Sequence, residues 1–79
     1  MVKQFSIAIH SFNEIQDFVS LATVQPFQVL VGNEQHQING KSFIGMMSLD
    51  YSHPVSVQVE CDETAFSQFR LQAARFLAN

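Results

Sequence analysis

In the stretch VSVQVE, residues 55–60, valine returns at every second position and the residues between are polar. That period puts Val55, Val57 and Val59 on one face of a β-strand and Ser56, Gln58 and Glu60 on the other. A strand with one dry face commits the chain to a sheet that is covered on one side and meets water on the other. With 79 residues there is room for one domain (residues 1–79) and one thin core. Nearly every apolar residue is then needed to build it.

The same alternation appears earlier. Phe5, Ile7 and Ile9 share one face of a first strand, and Phe27, Val29 and Val31 one face of a second. Gly32-Asn33-Glu34-Gln35 has hairpin chemistry and leads into a third, more polar strand at His36–Asn39. Between the first two strands the period changes. Ile15, Phe18, Val19 and Ala22 recur at the spacing of a helix face, and Ser11-Phe12-Asn13-Glu14 reads as a capping box opening a helix over 12–23. Ser42 is an N-cap for a short helix over Phe43–Leu49. Asp62 caps a third helix whose stripe is Phe66, Phe69, Ala73, Phe76 and Leu77. The order is β-α-β-β-α-β-α. An α+β fold follows, in which three helices cover one face of a four-stranded antiparallel sheet.

Charge narrows the function. Only Lys3, Lys41, Arg70 and Arg75 are cationic and the net charge is −3. A nucleic-acid binder neutralises several phosphates at once, and four scattered cations do not supply that. A basic membrane-surface helix is excluded on the same ground. No apolar run approaches the ~18 residues of a membrane span, and MVKQFSIAIHSF lacks the apolar block of a secretory signal. Cys61 stands alone, so no internal disulfide forms, and a reducing, cytoplasmic location is expected. His10, His36 and His53 lack zinc-ligand spacing. No metal, cofactor or nucleophile–base pair is expected, and the chain reads as a non-enzyme.

Residues 40–50, GKSFIGMMSLD, are the least ordinary part. They are no phosphate loop, because Gln35 stands where the first glycine of G-x-x-x-x-G-K-[ST] belongs. Two helical turns bury one stripe, and this segment carries Phe43, Ile44, Met46, Met47 and Leu49. Met46 and Leu49 suit the core. Ile44 and Met47 then share the opposite side, where Met and exposed apolar groups suit partner contact.

Lys41, Ser42, Gly45, Met47, Ser48 and Leu49 match K-S-I-M-G-[VL]-M-S-L. That segment belongs to HPr, the small phosphocarrier of the bacterial phosphotransferase system. Element order and flanking lengths also resemble that family over nearly the whole chain. The resemblance implies an open-faced β-sandwich. It implies a histidine at the start of helix one, in G-[IL]-H-A-R-P, which takes phosphate from phosphoenolpyruvate through Enzyme I and passes it to EIIA proteins. In some bacteria it implies a second site, the serine of K-S-I-M-G. An ATP-dependent HPr kinase modifies that serine, and the product binds a transcription regulator. Ser42 takes the serine's place, with Lys41, Phe43, Ile44 and Met47 around it as a partner surface.

The histidine motif is absent. This chain reads I-H-S-F-N-E, which puts Ser11 at the histidine's place and His10 one position early. A phosphohistidine leans on free N–H groups at a helix start. In the family an arginine adds a forked donor. Here the arginine is missing, and Glu14 competes for those N–H groups. A carboxylate within ~6 Å of a phosphate costs about 1 kcal/mol or more at an effective dielectric of ~20. We therefore expect a regulatory or protein-binding homologue that works through Ser42. A divergent carrier using His10, and an interaction module with neither phosphorylation, are the alternatives.

Overall fold

The computed structural model describes residues 2–78. Its elements are β1 (Val2–Ile7), α1 (Phe12–Thr23), β2 (Val29–Gly32), β3 (Gln37–Asn39), α2 (Phe43–Met47), β4 (Val55–Glu60) and α3 (Glu63–Gln72). A 3₁₀ turn, Ala74–Phe76, follows α3. The sheet order is β1-β4-β2-β3, with every neighbour antiparallel. The last strand in sequence thus lies inside the sheet, with Val57 opposite Phe5 on one side and Val31 on the other.

The helices pack on one face, giving the α+β architecture expected. Val55, Val57 and Val59 are buried, together with Phe5, Ile7, Val29 and Val31 from the other strands. Above them lie Ile15, Phe18 and Ala22 of α1, Met46 of α2, and Phe69, Ala73 and Phe76 from the C-terminal segment. With no tryptophan available, phenylalanines fill the core. Phe69 is fully buried, and its ring centre lies 5.6 Å from Phe5, 5.6 Å from Phe27 and 6.4 Å from Phe18. The opposite sheet face is wet and amide-rich. Gln58 links Gln4 and Gln37 across it by side-chain hydrogen bonds.

Turn chemistry works as the residues suggest. Gly32 has φ +154°, and a Cβ there would lie 2.1 Å from the His36 carbonyl oxygen, so the β2–β3 turn requires glycine. Asn33 Oδ1 accepts the Gln35 and His36 N–H groups and closes the turn.

Several boundaries depart from the sequence reading; β1 already begins at Val2, and β3 begins at Gln37, not His36. β1 ends at Ile7, although Ile9 is still buried. β2 begins at Val29, and Phe27 lies outside the ladder with its ring edge-on to Phe69. α2 ends at Met47, capped by the Ser48 N–H donating to the Gly45 carbonyl. The third apolar stripe is not one helix. α3 stops at Gln72, and the backbone is drawn to the β1 edge, where Ala8 N–H donates to Phe76 O at 2.8 Å and Ala78 N–H to Ser6 O at 2.9 Å. Two β-edge hydrogen bonds thereby replace the end of a helix, and they cover part of an otherwise open edge.

Phe69→Ala removes the ring shared by three aromatic neighbours and leaves a cavity. The expected loss is about 3–5 kcal/mol, a large share of the stability of a domain this size. Urea denaturation followed by circular dichroism will show it as a much lower midpoint or an unfolded baseline.

Candidate functional site at the paired helix starts

Two serine-phenylalanine pairs open two helices. Ser11 Oγ accepts the Glu14 N–H at 3.2 Å, and Ser42 Oγ accepts the Gly45 N–H at 3.1 Å. Each serine is extended and satisfies a donor of its own first turn. Each is followed by a phenylalanine, and the rings of Phe12 and Phe43 meet edge to face, 5.3 Å apart at 89°. That contact brings the starts of α1 and α2 side by side.

The Glu14 half of the capping box departs from expectation in one detail. Its Oε1 accepts the His10 N–H at 2.6 Å, not that of Ser11. The extended backbone at Ser11, φ −154° and ψ 162°, turns successive N–H groups to opposite sides, so the one facing the helix belongs to His10. The carboxylate thus holds a backbone donor at the α1 start. His10 and Ser11 are both exposed, and they line a shallow cleft of about 440 Å³ with Ile9, Ile15, Tyr51 and Ser52.

On α2, Met46 is buried while Ile44 is 82% and Met47 51% exposed. Phe12 is 51% exposed and Phe43 half-buried. The helix therefore divides as its spacing suggests, and Phe12, Phe43, Ile44 and Met47 form one apolar surface across the two helices. Gly45 keeps the cap compact, since a Cβ there would lie 3.3 Å from Ser42 Oγ. Lys41 neighbours Ser42 in sequence, but its Nζ donates to the Gln25 carbonyl at 2.7 Å, just past the end of α1. Its charge serves the C-terminal end of a helix, a favourable place for a cation.

Sequence reasoning did not single out the residues after α2. The Tyr51 hydroxyl donates to the Met46 carbonyl at 2.5 Å and pins the end of α2. Partial burial pushes that phenol up to about 12. Asp50 Oδ1 accepts the Ser52 N–H at 2.9 Å, and this bond holds the carboxyl below the ordinary carboxylate range. Asp50-Tyr51-Ser52 has turn composition, which signals a loop but not which helix the loop closes on. Phe12 was legible only as a helix residue. The repeated Ser-Phe at both helix starts is the signal that pairs it with Phe43. Among the described residues no group of three His, Cys, Asp or Glu side chains converges as a metal site, and no helix is long and apolar enough to cross a membrane.

Tyr51→Phe should cost about 1 kcal/mol by removing one part-buried hydrogen bond. Its pH dependence is the sharper test. A phenol raised in the folded state keeps its contribution below the ordinary tyrosine value and loses it as pH rises from 10 toward 12. Thermal melts at pH 9 to 11.5 should therefore converge for the wild type and Tyr51→Phe as pH rises. Ser42→Ala should cost about 1 kcal/mol through loss of the α2 cap.

The fold matches solved structures of the phosphocarrier HPr. One is HPr-C-His from Thermoanaerobacter tengcongensis, with TM-score 0.67 and 24% identity, covering 95% of this chain and 91% of that one. Another is the phosphocarrier protein HPr from Bacillus anthracis str. Ames, with TM-score 0.64 and 18% identity, covering 87% and 90%. No family model matches the sequence, and no curated protein does. At this identity the likeness is one of architecture: the chain has the HPr fold, an open-faced sheet under three helices.

Proposed function

We propose that this chain is an HPr-type protein of the phosphotransferase system that binds other proteins through the surface around Ser42 and does not relay phosphate from phosphoenolpyruvate. One observation carries the second half. Glu14 Oε1 sits 2.6 Å from the His10 backbone nitrogen, which fixes a carboxylate at the α1 start. Ser11, at the family histidine's position, is an N-cap and no proton carrier. Neither α1 nor the residues leading into it contain an arginine or lysine. A dianion placed there meets a fixed carboxylate and no guanidinium.

The first half rests on the exposed Phe12, Ile44 and Met47 and on Ser42 beside them. Such a surface on a small chain suits a protein partner. Ser42 is the regulatory phosphorylation site, with Lys41, Phe43, Ile44 and Met47 as contact residues. A phosphate on its hydroxyl would replace the present cap acceptor with a stronger, charged one. HPr kinase and a transcription regulator are the partners of this reading, in a cytoplasmic setting, and the chain is no enzyme. The exposure of His10 beside the cleft supports one competing reading, a divergent carrier that exchanges phosphate with Enzyme I and EIIA proteins.

The test is two incubations, each followed by intact mass and peptide mapping. With Enzyme I and phosphoenolpyruvate, no mass change is expected, whereas an acid-labile phosphoryl group on His10 would overturn the proposal. With HPr kinase and ATP, one acid-stable phosphoryl group is expected, lost in Ser42→Ala. With cognate enzymes, absence of both modifications would leave a binding module without phosphorylation.

A further inference from the structure

Sulfur occurs in Met1, Met46, Met47 and Cys61. Met1 lies outside the described residues. The other three differ in access. Met46 is fully buried, and the Tyr51 hydroxyl lies 3.7 Å from its Sδ. Cys61 is half-buried, and desolvation, with Asp62 beside it, pushes its thiol up and keeps it in the protonated, slowly oxidised form. Met47 is half exposed, directly after Met46 in the same short helix. Its place is that of a contact residue. Ile44, three positions earlier on α2, is more exposed still, and the Phe12–Phe43 ring contact joins this side of α2 to the exposed Phe12 of α1.

We propose that Met47 is an oxidation site through which hydrogen peroxide turns off the α1–α2 binding face. The Sδ lone pair attacks one peroxide oxygen, and the S–O bond forms as the O–O bond breaks. The proton on the transferred oxygen passes to the departing hydroxide, which leaves as water. Sulfur loses two electrons and the peroxide gains them. The flexible apolar thioether becomes a polar, chiral sulfoxide. A partner that covers this apolar surface then has to bury the new oxygen without a donor for it. A methionine sulfoxide reductase reverses the step with two thiols: the oxygen leaves as water and the thiols become a disulfide. Met46 shares the helix but not the access, so oxidation marks the outer face and spares the core. This rests on the reading of the α1–α2 surface as a protein-binding face and adds the condition that closes it.

The test starts with graded hydrogen peroxide on the folded protein, with tandem mass spectrometry placing each added oxygen. Met47 should gain one about tenfold faster than Met46 or Cys61. After catalase removes the peroxide, the protein is incubated with HPr kinase and ATP. The initial rate of Ser42 phosphorylation should fall about tenfold in the oxidised protein and return after treatment with a methionine sulfoxide reductase and dithiothreitol. Met47→Leu is compared only with itself, and its rate should be the same before and after peroxide, which assigns the effect to Met47 and not to Met1 or Cys61. Circular dichroism reports whether the oxidised protein keeps its fold. Oxidation of Met46 as fast as Met47, an unchanged rate once Met47 is oxidised, an equal loss in Met47→Leu, or loss of the native spectrum overturns the switch and leaves the binding face standing. Failure of the kinase to phosphorylate the untreated protein overturns the Ser42 reading and the switch with it.

Discussion

β4 holds the sheet from the inside. It pairs with β1 on one edge and β2 on the other, and its three valines are buried in the single core cluster that residues of all three helices share. Because it arrives after β1, α1, β2, β3 and α2, none of those elements can complete its burial until residues 55–60 are in place. Most pairings in the sheet therefore span long stretches of sequence, a topology that favours all-or-none folding over stepwise assembly. A thin core makes this more acute. Phe69 links the strands to α1 and to the β2 approach, so the last helix locks what the last strand has joined.

The functional surface depends on a smaller contact made within that frame. The Phe12 and Phe43 rings set α1 beside α2 at their N-terminal ends, where backbone donors cluster. Free donors at a helix start suit an anion. Here one donor of each first turn is satisfied by its own cap serine, and the Glu14 carboxylate holds the His10 N–H just ahead of α1. These bonds stabilise the two helix starts and fix a carboxylate beside the first of them.

A chain with four cations and seven acidic residues has few ways to present positive potential. Three of the cations are tied to partners: Lys3 to Glu63, Arg75 to Asp17 on α1, and Lys41 to the Gln25 carbonyl past the end of α1. What the α1–α2 surface exposes is apolar: Phe12, Ile44 and Met47.

Local chemistry in the sequence determined the α1 span, the β4 strand, all three N-caps and the division of α2 into Met46 inside and Ile44 and Met47 outside. Periodicity and capping act over a few residues, so one chain read alone displays them. Tertiary structure alone decided that α3 yields to a β-edge contact at Phe76–Ala78, that Phe27 stacks instead of extending β2, and that Lys41 reaches Gln25. It also brought Tyr51 and Ser52 to His10 across some forty residues of chain. Those outcomes are competitions between distant groups for the same hydrogen bonds and the same apolar contact. No spacing within a segment records which competitor wins.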